Sequence, residues 1–209
     1  AHVQDQNEIT IASVVLTDGN LDGNYTGQWD SAGYATGTYY LDIFANDTSN
    51  NQAHSNNVGG GFSLTDTTSP SIQNPLLDLS IVEYANSITI SVESFDASGI
   101  DQVFAHIQKG NENTVVTVEL FDDGMGVDQV AGDGNFTVSW DTTGYDVSAN
   151  YEIDFEAIDN VANSNEMDDG VFFEIQDTID PVLTNNYVDS GDIQYGVIVN
   201  ISVDASDNY

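Results

Sequence analysis

Apolar and polar residues alternate with a period of two along most of the chain, and no stretch has a clear period of 3.6. This alternation is typical of β-strands that bury one face. The alternating runs are Ile88, Ile90 and Val92; Val103, Ala105 and Ile107; Val116, Val118 and Leu120; Phe136, Val138 and Trp140; Tyr151, Ile153, Phe155 and Ala157; and Val171, Phe173 and Ile175. With a first strand at residues 72–79, the pattern predicts an all-β region of about seven strands.

Two stretches of the chain are nearly identical. LDGNYTGQWDSAGY at residues 21–34 matches GDGNFTVSWDTTGY at residues 132–145, an offset of 111. The same offset relates the Asp-Thr-x-x-Pro strings that begin at Asp66 and Asp177, and an offset of 112 relates the runs that begin at Tyr39 and Tyr151. These matches predict a repeat. Its parts are the later portion of one unit at residues 1–65, a complete unit at 66–176 and the opening of a further unit at 177–209.

Seven short strands in about 110 residues, with turn signals between them, are typical of an immunoglobulin-type Greek-key sandwich. We therefore expect tandem immunoglobulin-like Greek-key β-sandwiches of about seven strands each, taken from a longer parent chain. Residues 177–209 would hold strands A and B of a unit, and residues 1–65 would hold its later strands. In this alignment the equivalent of residues 99–111, strand C, is missing from both pieces. That gap argues against two copies completing a sandwich head to tail.

Two kinds of aromatic residue recur between the units. Trp29 and Trp140 are equivalent, and Trp140 shares the parity of the apolar residues in its strand. We therefore expect both to pack in the core rather than to form a platform for sugars. Tyr39 and Tyr151 open the sixth strand, where a Greek-key sandwich has a corner tyrosine whose hydroxyl bonds to the backbone.

Asp and Glu outnumber basic residues by 35 to 1, and the formal net charge is −34. Binding to nucleic acid or to anionic lipid relies on Lys and Arg, so this charge excludes both as partners. No apolar run is long enough for direct insertion into a membrane. Repulsion among the carboxylates destabilises the folded chain unless salt or bound cations offset it, which favours a setting that is saline or rich in divalent ions. The alternative is that the acidic surface only keeps the chain in solution.

Several strings resemble the tandem immunoglobulin-like repeats of prokaryotic surface proteins. They are the Asp-Thr-x-x-Pro strings, the Asp-Gly pairs between Asp122 and Thr137, and the Tyr-x-Ile-x-Phe-x-Ala-x-Asp run from Tyr151, followed by Asn163. That family often has Gly in the turn after the run, where this chain has Ser49-Asn50 and Ala162. The resemblance implies an extracellular, cell-surface structural protein that self-associates in an S-layer lattice or a filament. The acidity is closer to that of archaeal S-layer proteins, and the alternative role is an adhesin or polysaccharide-binding stalk.

Aspartates of the complete unit are predicted to meet at one pole of the sandwich, because the start of strand A and the B–C and F–G loops converge there. Ca²⁺ takes about six to eight oxygen ligands in irregular geometry, so such a cluster predicts a calcium site. The predicted ligands are Asp66, Asp96 and Asp159 with the amides of Asn160 and Asn163, and Asp177, Asp180 and Asp207 at the same pole of the next unit. The alternative is that these aspartates only cap turns.

The loop after the fourth strand of the complete unit is a second candidate for a cation site. Its acidic residues are Asp122, Asp123, Asp128 and Asp133. Their spacing lacks the full series of an EF-hand, including its final Glu. The equivalent loop of the first unit, residues 17–22, keeps only two acids, so we expect a site only in the longer loop.

Four N-x-S/T sequons occur, at Asn24, Asn46, Asn135 and Asn200. Asn24 and Asn135 are repeat equivalents, which favours their use as glycosylation sites over chance occurrence. Catalysis has little support, because the three histidines do not recur in this alignment and the chain has neither Cys nor a Gly-x-Ser-x-Gly string. We expect a protein that is not an enzyme. An accessory region of a secreted hydrolase is a further alternative.

Overall fold

The computed structural model describes residues 1–110, 112–189 and 191–209. The strands are β1 (His2–Gln4), β2 (Thr10–Ser13), β3 (Gly37–Asn46), β4 (Gln52–Ser55), β5 (Phe62–Leu64), β6 (Ser71–Leu77), β7 (Ile81–Glu83), β8 (Ser87–Phe95), β9 (Ile100–Lys109), β10 (Thr114–Leu120), β11 (Asn135–Asp141), β12 (Ser148–Asp159), β13 (Ser164–Gln176), β14 (Val182–Val188) and β15 (Ile201–Ser206). One short 3₁₀ helix, Val58–Gly60, lies between β4 and β5. Within the described ranges, no helix is both long and apolar enough to cross a membrane.

The chain divides into two compact units. The first comprises Ala1–Pro70 with the segments Phe95–Asp101 and Ile158–Ser164. The second comprises Ser71–Ser94, Gln102–Ala157 and Asn165–Tyr209. These two units have other bounds than the sequence repeat, because they group residues that are close in space. The repeat boundaries at residues 65/66 and 176/177 therefore stay a prediction.

Strands β6 to β13 form a two-sheet sandwich. One sheet has the order β11-β8-β6, and the other has the order β10-β9-β12-β13-β7, with β7 parallel to β13. The chain crosses from one sheet to the other at β6/β7, β7/β8, β8/β9, β10/β11 and β11/β12, as in an immunoglobulin-type Greek key, which confirms the predicted fold class. The predicted strand at residues 72–79 is β6, and a further short strand that the pattern did not predict, β7, follows it, so the sandwich has eight strands.

The break between β6 and β7 follows from hydrogen bonds to both sheets. Asp78 Oδ1 accepts the backbone N–H of Thr89 on β8 at 2.8 Å. Two residues later, the carbonyl of Ser80 accepts the N–H of Glu174 on β13 at 3.0 Å. The chain therefore leaves one sheet and joins the other within three residues.

The core of the sandwich lies between its two sheets. Ile88, Ile90 and Val92 of β8 are 0% exposed, as are Ile153 and Phe155 of β12. Alternation therefore identified the buried face of these strands. The edge strand β10 buries its apolar face only in part, with Leu120 at its end fully inside.

The recurring aromatic residues lie where the repeat predicts. The hydroxyl of Tyr151 donates to the carbonyl of Asp146 at 2.8 Å, and the hydroxyl of Tyr39 donates to that of Ala35 at 2.5 Å. Both are the expected corner tyrosines. Trp140 is 6% exposed, and its ring centroid lies 5.9 Å from that of Phe173. Trp29 is half-buried, with its ring 5.5 Å from Tyr39.

Strand β1 corrects the alignment of the first unit. It lies between β2 and β3, as β9 lies between β10 and β12. His2 pairs with Ser13 as His106 pairs with Thr117, and both ladders have a register irregularity near the same point. AHVQDQNEIT at residues 1–10 therefore corresponds to AHIQKGNENT at residues 105–114, an offset of 104.

Two expectations were wrong for this reason. The latter half of strand C is present in residues 1–65, as β1, and His2 recurs as His106. Both matches are hidden at an offset of 111, because the loop that follows β2 is shorter than the loop that follows β10. Neither histidine lies in the sandwich core; His106 is half-buried, and its Nδ1 lies 2.9 Å from the hydroxyl of Thr117.

The two nearly identical stretches differ in structure. Residues 135–141 form β11, which pairs along its full length with β8. The matching residues 24–30 form only an isolated bridge between Thr26 and Thr17, the counterpart of the bridge between Thr137 and Phe121. The first unit has one sheet, of order β2-β1-β3-β4 with β5 also on β3. Similar sequences thus differ here because only one has a β8 strand beside it.

Candidate cation-binding clusters

Asp66, Asp96 and Asp159 come together in the first compact unit. One carboxylate oxygen of each lies within 4.8 Å of the others. All three side chains lie at or just after the end of a strand. Asp66 lies shortly after β5, Asp96 directly follows β8, and Asp159 is the last residue of β12. The convergence predicted from the repeat and the topology is therefore present.

Each of these aspartates also caps a turn. The hydrogen bonds are Thr68 N–H to Asp66 Oδ1 (2.9 Å), Ser98 N–H to Asp96 Oδ1 (2.8 Å), and Val161 and Asn163 N–H to Asp159 Oδ1 (2.9 and 2.8 Å). The sequence offered a calcium site and turn capping alone as alternatives; the aspartates both converge and cap turns, so the capping bonds do not decide between the two. A carboxylate has about four lone pairs, so these bonds leave acceptor capacity for a cation.

Two of the three carboxylates have lowered pKa values. Asp159 is 1% exposed, and this burial alone would raise its pKa. The hydrogen bonds from the side-chain and backbone N–H groups of Asn163 outweigh burial, so the pKa lies below its usual value. The N–H of Thr68 lowers the pKa of Asp66, although the like negative charge of Asp159 acts to raise it. Both are therefore ionised at neutral pH. Lys109, the single basic residue of the sequence, pairs with Asp146 at 2.5 Å instead.

The two asparagines predicted as oxygen donors make their contacts through nitrogen. Asn163 Nδ2 donates to Asp159 Oδ2 at 2.7 Å and to the carbonyl of Thr68 at 3.1 Å. Asn160 Nδ2 donates to the carbonyl of Ser98 at 2.7 Å. These amides hold the loops around the aspartates in place. The cluster itself offers carboxylate oxygens.

Asp122, Asp128 and Asp133 form a second cluster, within the second compact unit. Their carboxylate oxygens also lie within 4.8 Å of one another. Asp122 accepts the N–H groups of Gly132 and Gly134, at 2.6 and 2.8 Å, and so closes the loop between β10 and β11.

Asp128 and Asp123 of this loop differ in their surroundings. Asp128 is 4% exposed, and the N–H of Gly124 is the main cause of its lowered pKa. Asp123 does not belong to the cluster, and its Oδ1 accepts the N–H of Met125 at 2.8 Å.

The remaining predicted ligands are not gathered. Among the residues that the structure describes, Asp177, Asp180 and Asp207 do not form such a group. Asp177 accepts the N–H of Ile179 at 3.2 Å, and Asp207 accepts the N–H of Asn208 at 2.7 Å.

Asp47 was not among the cation ligands predicted from the sequence, although it is equivalent to one of them. It is the counterpart of Asp159 at an offset of 112. Its carboxylate accepts the side-chain and backbone N–H groups of Asn51, at 2.6 and 2.8 Å, as Asp159 does from Asn163. The 112 offset between the two Tyr runs was the available signal.

The four sequon asparagines differ in exposure. Asn24, Asn46 and Asn200 are exposed, although Asn200 Nδ2 donates to Asp189 at 2.7 Å. Asn135, at the start of β11, is half-buried, and its sequon partner Thr137 is 7% exposed. Of the equivalent pair, Asn24 is therefore more accessible than Asn135 in the folded chain.

No protein-family model matches the sequence, and a comparison with curated proteins finds no match. The fold, the charge and the two aspartate clusters are thus the features that point to a function.

Proposed function

We propose that the chain is a structural segment of an extracellular surface layer or filament, built from acidic immunoglobulin-like modules that calcium stabilises. The observation that carries this proposal is the convergence of Asp66, Asp96 and Asp159. One of them lies near a module boundary of the repeat, and the other two lie at the ends of long strands. A mechanical role requires that strand ends and linkers be held in place.

Calcium would act on repulsion among carboxylates. Three aspartates within 4.8 Å repel one another, and the basic residue of the chain pairs elsewhere. A divalent cation held by Asp66, Asp96 and Asp159 would offset that repulsion and fix three separate chain segments at one point. Asp122, Asp128 and Asp133 would do the same for the loop between β10 and β11.

The surface setting is supported by charge and sequons. A net charge of −34 is better tolerated where salt or divalent ions are abundant. Three of four sequon asparagines are exposed, as glycosylation requires. Self-association in a lattice or filament, possession of glycans and the absence of catalysis all belong to this proposal.

Thermal unfolding of the full chain with calcium or with a chelator tests it. Ligand at 100 times its Kd stabilises a folded protein by about 2.7 kcal/mol. We expect calcium to raise the Tm of the parent, and Asp96→Asn to remove much of that rise. Asp101→Asn, which changes the net charge equally at an exposed position outside both clusters, is the matched control and should keep it. An unchanged Tm in the parent, or equal losses in both variants, would refute specific binding.

A further inference from the structure

We propose that residues 182–206 of one copy complete a sandwich with residues 1–65 of a second copy, by adding β14 and β15 to its open sheet. The inference deepens the self-association in the proposed function, and it rests on that part alone rather than on calcium. In an array of such modules on one polypeptide, the two surfaces would belong to one module. Between separate copies of the 209-residue chain, the pairing forms between molecules and is measurable.

The β14–β15 hairpin is the counterpart of β6 and β8. β14 has the bounds of β6 shifted by 111 residues. Asn185, with φ of 50°, donates to Asp204 at 2.7 Å, as Asn74, also with φ of 50°, donates to Glu93 at 2.8 Å. The hairpin thus already has the local geometry of the sheet it would form.

The apolar side chains of the hairpin are exposed, whereas those of its counterpart are buried. Ile90 and Val92 of β8 are 0% exposed, whereas the equivalent Ile201 and Val203 of β15 are 79% and 50% exposed. Leu183, the equivalent of the buried Ile72, is 64% exposed. An apolar strand pattern with this exposure has a strong tendency to pack against another sheet.

Residues 1–65 have the complementary surface. An open groove of about 420 Å³ runs over the first unit, and its lining includes Leu16, Trp29, Leu41, Ile43 and Phe62. The counterparts of these side chains in the complete sandwich are Leu120, Trp140, Ile153, Phe155 and Phe173, each 6% exposed or less. In that sandwich the inward side chains of β8 face them. The groove therefore has the place and the chemistry of a missing β8.

The backbone pairing of residues 24–30 also indicates that a strand equivalent to β8 would fill the groove. Residues 24–30 match β11 in sequence, but they form no ladder, whereas β11 pairs with β8 from Asn135↔Glu93 to Asp141↔Ser87. Transferring this register places Gln28 of one copy opposite Asn200 of the other, because Ser139 is opposite Thr89. Addition of a strand to an exposed edge is a general mode of protein association.

Salt affects how strongly the two surfaces associate. Both surfaces belong to an acidic chain, so their mutual repulsion weakens as salt rises, with a Debye length of about 3 Å at 1 M. We therefore expect association to strengthen with ionic strength.

The pairing would also assemble a third aspartate cluster. Asp177 and Asp207 are the counterparts of Asp66 and Asp96, and Asp47 of the second copy is the counterpart of Asp159. The site that neither piece forms alone would then be complete. This step rests on the proposed calcium function, so the decisive experiment is carried out without calcium.

Cysteine cross-linking tests the register. The chain has no Cys, so Gln28→Cys in one population and Asn200→Cys in another report only on contacts between copies. Residues directly opposite in an antiparallel pair have Cα atoms about 4.5–5.5 Å apart, within the range for a disulfide, whereas diagonal neighbours are about 7–8 Å apart. Mixed under oxidising conditions in 1 M salt with chelator, the two variants should form a covalent dimer of about twice 22.5 kDa.

The off-register mixture of Gln28→Cys with Ser202→Cys is the control, and it should cross-link at least several-fold less. Asn200, directly before β15, and Ser202, on β15, are both exposed and outside the complete sandwich, so these variants should fold alike. Sedimentation of the unmodified chain over a range of concentrations is the second readout. There, Ile201→Asn should abolish association, and Ser202→Asn should preserve it. Equal cross-linking of both mixtures, or sedimentation as a monomer at all concentrations, would overturn the proposal, whatever calcium does to the Tm.

Discussion

At the scale of single residues, aspartates in this chain have two roles at once. Asp159 caps the turn that follows β12 and also stands within 4.8 Å of two other carboxylates. The sequence predicted that Asp66, Asp96 and Asp159 meet, because the Greek key gives the pole, but it also grouped Asp177, Asp180 and Asp207, which do not meet. It did not give the roles of Asn160 and Asn163, because an amide has both donors and an acceptor and only the surrounding loops determine which is used.

The first prediction concerns pH and Asp128. Its pKa in the folded chain is below the ordinary value for an aspartate, because the N–H of Gly124 stabilises the charged form. The resulting stability is present above pH of about 4 and is lost as pH falls through the folded pKa. Asp128→Asn should therefore lower the free energy of unfolding at pH 7, and the difference from the parent should shrink toward pH 3. Urea unfolding measured across this range checks it. A difference that grows on acidification would contradict the assignment.

The second prediction concerns the corner tyrosine. Tyr151→Phe removes the hydrogen bond to the carbonyl of Asp146 and leaves the ring in the core. A typical intramolecular hydrogen bond contributes about 0.5–1.5 kcal/mol, so we expect a loss of about 1 kcal/mol in the free energy of unfolding. Tyr187→Phe, on the exposed strand β14, should be neutral in the same denaturant titration. Equal effects of the two substitutions would show that the corner bond is not stabilising.

At the scale of elements, the alternation of apolar residues predicted strands and their buried faces, but not every boundary. The division into β6 and β7 depends on bonds from Asp78 and Ser80 to two different sheets, which no local pattern encodes. Strand C of the first unit was missed because a shorter loop shifts the repeat offset from 111 to 104. Residues 24–30 have the sequence of a strand and form none, since the partner strand is not beside them.

A matched pair of substitutions tests the equivalence of β8 and β15. Ile90 and Ile201 occupy the same repeat position, but one is 0% exposed and the other 79% exposed. Ile90→Ala should lower the free energy of unfolding by about 2–5 kcal/mol. Ile201→Ala, measured in low salt and at low concentration, should change it by less than about 0.5 kcal/mol. Equal costs under those conditions would mean that Ile201 is already buried in a core.

At the scale of the whole molecule, repetition and charge together determine behaviour. If the predicted modules lie in series, each adds acidic surface to its neighbours, and the repulsion between carboxylates lowers their stability. In the proposed function, cations and salt would offset that repulsion and so regulate stability and association, while the apolar cores would be little affected. Composition alone predicted the excess of charge. The places where aspartates gather into two clusters follow from the strand order of the sandwich, which composition does not give.

In the proposed function the complete module resists mechanical force and calcium reinforces it, so single-molecule force spectroscopy of the full chain is the decisive experiment. Unfolding of residues 66–176 should release roughly 350–400 Å of contour length, at about 3.3–3.6 Å per residue. We predict a distinct rupture of this length at higher force in millimolar calcium than in chelator, with that difference reduced by Asp96→Asn and retained by Asp101→Asn. A rupture force that does not depend on calcium, or extension without any distinct rupture, would contradict the claim.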